Sequence, residues 1–124
     1  MPLLLRLSSP DVAHCLIAGT TGSGKTELAR TIIASLTMHQ KPRDLQLALF
    51  DPKVRGLAPF ETAPHLLFPI VAAPDHTLVK MRYLVSEMER RDQLLVERPR
   101  IVIVVDELTD LLQVCGTELE MLLT

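Results

Sequence analysis

The sequence predicts an α/β protein, a parallel sheet flanked by helices. Three observations carry that expectation. Two apolar runs of strand length, LQLALF at 45–50 and IVIVV at 101–105, lack the polar alternation of a half-wet strand and suit a sheet covered on both faces. Segments of helical period lie between and after them, and a glycine-rich turn joins a third apolar run, VAHCLI at 12–17, to the first helical pattern. Strands that alternate with helices imply parallel pairing and right-handed crossovers.

In chain order, VAHCLI reads as a short buried strand that ends at Gly19, with Cys15 in the core. A helix follows from Lys25, with Leu28, Ile32 and Leu36 at spacings of four and Ala29 and Ile33 beside them, until Lys41-Pro42 stops the pattern. The strand 45–50 comes next. Prolines 52, 59, 64, 69 and 74 prevent a single helix over 52–74, although Leu66 to Val71 suits a short extended piece. A second helix is expected from an N-cap at Asp75, with Leu78, Met81, Val85, Met88 and Leu95 facing inward and Glu87 and Arg91 paired on the wet side. Pro99 closes it before the strand 101–105. A further helix starts with Leu108, Leu111 and Leu112 and breaks near Gly116, where Thr117 and Glu120 have capping-box spacing.

Composition narrows the function classes. The 124 residues are 48% hydrophobic and 23% charged, which suits one folded domain and disfavours disorder. Thirteen basic against fifteen acidic residues leave a net charge of −2, so a free-standing basic DNA-binding face is not advertised. Two cysteines a hundred residues apart, without CxxC or spaced histidines, argue against zinc and a disulfide framework and fit a reducing, cytoplasmic setting. Apolar runs such as the five residues 101–105 fall far short of the roughly twenty that span a bilayer, and Met1 to Arg6 is too short for a signal-peptide core.

Two motifs carry chemistry. GTTGSGKT, Gly19-Thr20-Thr21-Gly22-Ser23-Gly24-Lys25-Thr26, fits GxxxxGK[ST] between a strand and a helix, the pattern called Walker A. Glycines 19, 22 and 24 allow the backbone to curl its N–H groups toward phosphate oxygens, and the helix N-terminus adds partial positive charge. Lys25 is then expected to reach the β- and γ-phosphates of ATP, and the Thr26 hydroxyl to ligate Mg2+. IVIVVDE, 101–107, places Asp106 and Glu107 at the carboxyl end of a strand, where open parallel sheets bind ligands. Asp106 suits the magnesium-holding Walker B acid, and Glu107 suits a general base for the attacking water. No NKxD base-reading motif and no arginine-rich lid is present, which favours an additional-strand ATPase over a GTPase or nucleotide kinase.

With these residues in view, the chain resembles the FtsK/SpoIIIE group of DNA-translocating ATPases from about His14 to Thr124. The resemblance rests on HCLIAGTTGSGKT at 14–26, FDPK at 50–53, PHLLFPIV at 64–71, EMERR at 87–91 and IVVDELTDLL at 103–112. It implies one partial domain over 1–124, a RecA-like P-loop NTPase incomplete at its C-terminus, with Walker A at 19–26 and Walker B at 101–107. It further implies a homo-oligomeric ring, a hexamer, around double-stranded DNA, with Lys25 and Glu107 catalytic. Asp51 and Lys53 match the family's DPK run and suit a supporting role near the nucleotide. Arg90 and Arg91 match its ERR run and read as a solvated face. His14, His65 and His76 read as packing or surface residues. Related motors that drive protein secretion of the type VII kind or conjugative plasmid transfer share the motifs, and a non-catalytic nucleotide-binding module is the third alternative. The chain is about half as long as such a motor domain, without the family's membrane anchor or winged helix, so weak hydrolysis by these residues alone is expected.

Overall fold

A computed structural model describes residues 14–19, 24–96 and 99–123. Its framework is the strand β1, Leu45–Phe50, paired in parallel with β2, Arg100–Val105, in the register Leu45 to Arg100 through Phe50 to Val105. β1 is the central element. Its even-numbered residues bond toward β2, ending with the Asp106 N–H donating to the Phe50 carbonyl at 2.9 Å. Its odd-numbered residues bond the opposite way. There the Leu47 N–H donates to the His65 carbonyl, and the Leu47 and Leu49 carbonyls accept from the Leu67 and Val71 N–H groups at 2.9 and 3.0 Å. The expected extended piece at 66–71 is thus a bridged flank of β1 rather than a full strand, which agrees with Pro69 at its middle.

Side chains of β1 alternate between two apolar layers, as strand geometry requires. Leu45, Leu47 and Leu49 pack with Ile33 and Leu57 on one face, and Leu36 of the helix α1, Lys25–His39, adds to them. Ala48 and Phe50 face the other way, onto Met81 and Leu84 of α2, Pro74–Leu94, and Leu111 and Leu119 of α3, Leu108–Leu123. Phe50 meets Phe68 edge to face at 6.0 Å, and Lys80 Nζ lies 5.0 Å from the Phe68 ring centre. The result is a helix–sheet–helix sandwich. α3 breaks at Gly116, which has φ 63° and ψ −144°, in agreement with the interruption expected there. A single 3-10 turn spans Ala58–Phe60.

Four expectations need correction. His14 to Ile17 form no strand, and Cys15 is exposed rather than in the core; Val12 and Ala13 lie outside the described residues. An extended segment becomes a strand only where a neighbour takes its backbone groups; both edges of β1 are occupied, by β2 and by 65–71, and among the described residues 14–17 make no backbone bond to the remaining edge of β2. β2 is not buried on both faces: Ile103 is 44% exposed, because β2 is bonded to β1 along one edge and no strand pairs with its other edge among the described residues. α2 begins at Pro74 after Ala73, without a side-chain cap, since proline's fixed φ suits the first helical position. Its buried stripe is Thr77, Met81 and Leu84, whereas Met88 and Leu95 are 63% and 85% exposed. The sequence admits either stripe, and packing on Phe50 and Leu111 selects the one through 77.

The fourth correction concerns Glu87 and Arg91, which form their expected pair at 2.7 Å but not on a wet face, their side chains being only 12% and 17% exposed. Arg90 also donates to Glu87, at 2.6 Å, and Arg91 donates to the Pro99 carbonyl, tying α2 to the entry of β2. A second tie, Arg82 to Glu118, joins α2 to α3.

The hydrogen bonds from Arg90 and then Arg91 hold the Glu87 carboxyl at a pKa of about 2. A depressed folded value means that its contribution is complete above the unfolded carboxylate value, about 4.3, and fades as pH falls toward 2. Melting temperature against pH checks this. Glu87→Gln should melt lower than the parent at neutral pH, and the difference should close between about pH 4.5 and pH 2.

Candidate functional site

The register of the two strands decides where the site lies. Because Phe50 pairs with Val105, the next residues, Asp51 and Asp106, leave the sheet side by side at its carboxyl end. α1 begins at the same end. Its N-cap is Gly24 with φ 92°, a left-handed conformation that a residue with a Cβ rarely adopts, and no side chain caps the first turn. The N–H groups of that first turn, those of Lys25 and Thr26 among them, have no carbonyl partner within the helix itself. Gly19 is exposed; Thr20, Thr21, Gly22 and Ser23 lie outside the described residues.

Asp51 is fully buried. Its carboxyl oxygens accept from the Lys53 N–H at 3.2 Å and the Leu57 N–H at 3.0 Å, and its carbonyl accepts from the Val54 N–H at 3.2 Å. Asp51-Pro52 is therefore a strand-ending turn, and the carboxyl group holds the whole loop 51–57 in shape. Arg30 of α1 clasps the same loop, donating from Nε to the Gly56 carbonyl at 2.6 Å and from a terminal nitrogen to the Arg55 carbonyl at 3.3 Å.

Held at both ends, the loop brings Gly56 against the two oxygen-bearing side chains singled out as a metal pair. A Cβ at Gly56 would stand 2.3 Å from Asp106 Oδ2 and 2.8 Å from the Thr26 methyl carbon Cγ2, so the Thr26 and Asp106 side chains both lie against Gly56. Burial raises the Asp106 carboxyl pKa first, the neighbouring Asp51 raises it further, and Lys25 opposes both. A half-buried carboxylate beside another carboxylate is a place where a divalent cation is electrostatically welcome. A hydroxyl and a carboxylate are the hard oxygen donors that Mg2+ prefers when phosphate and water complete its shell. No group of three or more His, Cys, Asp and Glu is placed to hold a metal among the described residues.

Glu107 has φ 54°, unusual for a residue with a side chain, and its N–H donates to Asp106 Oδ1 at 3.1 Å. Lys53 Nζ bridges across to it, 3.9 Å from Glu107 Oε2 and 3.6 Å from Asp110 Oδ2. Lys25, Thr26, Asp51, Lys53, Asp106 and Glu107 therefore gather at one end of the sheet. Sequence reasoning missed Arg30, Gly56 and Asp110. Gly56 carried one signal, being the single glycine between Gly24 and Gly116.

The raised Asp106 value has a sign opposite to that of Glu87. The folded protein binds this proton more tightly than the unfolded chain, so the site costs stability once Asp106 ionises and is relieved as pH falls. Asp106→Asn should consequently raise the melting temperature in the absence of metal at pH 7.5, read by differential scanning calorimetry. An unchanged or lower value would remove this account of a carboxylate made costly by burial and by its acidic neighbour.

The family model described as FtsK/SpoIIIE family matches residues 3–98. A DNA translocase FtsK of Staphylococcus epidermidis is 35% identical over an alignment covering 96% of this chain and 18% of that protein. DNA translocase FtsK of Staphylococcus aureus is 35% identical over 89% of the chain, and that of Clostridium tetani 38% over 86%, each alignment covering 17% of the relative. The chain thus spans under a fifth of the length of these relatives. No helix among the described residues is long and apolar enough to cross a membrane. A match over most of the chain, with relatives above 30% identity, places it in the FtsK/SpoIIIE family.

Proposed function

We propose that this chain is the ATP-binding part of a RecA-like P-loop motor domain that couples Mg–ATP hydrolysis to movement along double-stranded DNA. The observation that carries the reading is the convergence of Thr26 and Asp106 beside Lys25, at the carboxyl end of a parallel sheet and the start of a helix. The names of the relatives supply the substrate, DNA.

In this mechanism residues 19–26 cradle the triphosphate with backbone N–H groups. Lys25 places a point charge on the β- and γ-phosphates. Thr26 and Asp106 would hold Mg2+, which would supply charge neutralisation at the transferring phosphoryl group. Asp51 shapes the loop that packs against both. Glu107, one residue beyond Asp106, orients the attacking water and accepts its proton. A cytoplasmic hexameric ring around the duplex completes the motor, and DNA contact then needs only a few residues from each subunit. Mild negative charge is compatible with that arrangement.

Isothermal titration with Mg–ATP and a phosphate-release assay test the two halves of the site separately. Lys25→Ala should abolish magnesium-dependent ATP binding, and unchanged affinity would refute the nucleotide site. Glu107→Gln should bind ATP like the parent while turnover falls about 10²- to 10⁴-fold, the usual range for losing a general base. Duplex DNA should stimulate hydrolysis by the complete motor; its failure to do so would point to a protein substrate instead.

A further inference from the structure

The Lys53 side chain has no role in the mechanism above, yet among the described residues it is the one cation paired with the candidate base. It is 57% exposed and extends from the loop after β1 to two acids beyond β2, Glu107 at 3.9 Å and Asp110 at 3.6 Å. An exposed ion pair of this kind contributes little to stability. Its surroundings, however, are not those of an ordinary surface pair.

Both arms of the bridge stand on unusual backbone. Among the described residues, three non-glycine positions have positive φ, and two of them flank this contact: Val54 at 52°, next to Lys53, and Glu107 itself at 54°. For a β-branched residue such as Val54 this conformation is a genuine outlier, and it persists only where the surroundings impose it. Here the buried Asp51 imposes it, since its carbonyl accepts from the Val54 N–H and its carboxyl group from the Lys53 N–H. The base of the Lys53 side chain is therefore fixed by the core, although its tip lies in solvent.

The tip enters a crowd of like charges. Asp51 and Asp106 leave the sheet side by side and Glu107 follows directly, so three carboxyl groups stand together, and Asp110 lies one helical turn beyond. Left to that repulsion, the Glu107 side chain would swing away from Asp106 into water. A cation held between Glu107 and Asp110 keeps it on the sheet end.

The geometry points to Lys53 as a positioning residue for hydrolysis: it touches no phosphate and instead holds the Glu107 carboxylate beside Asp106, with Asp110 sharing the charge. This rests on the reading of Glu107 as general base. Its magnitude follows from the sensitivity of catalysis to placement, where a displacement of about 1 Å can cost about 10²-fold in rate. A lysine acting through space on a mobile carboxylate should account for part of that.

Lys53→Met and Lys53→Arg, made in the whole chain, separate positioning from binding. With Mg–ATP, Lys53→Met should keep the parent's Kd within about twofold while single-turnover phosphate release slows about tenfold, and Lys53→Arg should recover most of the rate. An unchanged rate in Lys53→Met overturns the proposal. So does a Kd that weakens as much as the rate falls, because Lys53 would then be a phosphate ligand. A nucleotide-free readout keeps this separate from the proposed function: the Glu107 side-chain carboxyl resonance, followed by 13C NMR, should move in Lys53→Met and return toward the parent in Lys53→Arg. If that resonance stays in place, the contact is absent whatever the chain does with ATP. If it moves while the parent binds no Mg–ATP, the P-loop reading fails and the contact stands.

Discussion

A single buried carboxyl group organises one end of this molecule. Asp51 sits at the end of the central strand with no solvent exposure, and an acid in such a place is tolerated only when its oxygens find donors. The donors are the N–H groups of Lys53 and Leu57, so meeting that requirement forces the intervening chain into a closed loop. Three consequences follow. Leu57 is drawn into the core against Leu45, Leu47 and Leu49, Gly56 is set down on Thr26 and Asp106, and Lys53 is aimed across the sheet end. Replacing this acid would therefore disturb packing, the seat of Gly56 on Thr26 and Asp106, and the charge pattern together.

Asp51 can occupy that position because β1 is covered on every side. Its leucines face α1, Ala48 and Phe50 face α2 and α3, and its two edges bond to β2 and to 65–71. β2 shares one edge only and stays partly open, as Ile103 shows. Rigidity is thus unequal along the sheet. The loop carrying Lys53 and Gly56 grows from the fully buried strand and is clamped by Arg30, whereas Asp106 and Glu107 follow the less protected one. Clamping the second pair from the first, through Gly56 and Lys53, is how the stiffer strand steadies the softer one.

What the sequence made legible follows the same division. Leu45–Phe50 was readable because a strand covered on both faces is apolar at nearly every position, the half-buried Gln46 being the exception, and Arg100–Val105 because five β-branched residues suit little else. The exposure of Ile103 was not readable, since burial depends on neighbours and not on the strand's own residues. The same reason defeated VAHCLI, whose apolarity is strand-like while His14 to Ile17 have no partner among the described residues. Within the site, Lys25, Thr26, Asp106 and Glu107 announced themselves because their spacing is local. The halves of the other contacts lie far apart in the chain: Arg30 and Gly56 are separated by 26 residues, and Lys53 lies still further from Glu107. Pattern reading sees neighbours in sequence, and these pairs exist only once β1 and β2 are in register.

The left-handed turn at Glu107 has a geometric reason. Successive residues of a strand point to opposite faces of a sheet, so an extended continuation past Asp106 would send the two carboxyl groups apart. At φ 54° the alternation ends, the chain turns into α3, and Glu107 stays within reach of Lys53 while its N–H closes on Asp106 Oδ1. Holding two adjacent acids on one surface costs twice, in backbone strain and in repulsion between Asp106 and its neighbours. Neither cost serves folding. Both become intelligible if a cation and a phosphate chain occupy that surface, because positive charge there converts the repulsion into attraction and the turn into preorganisation.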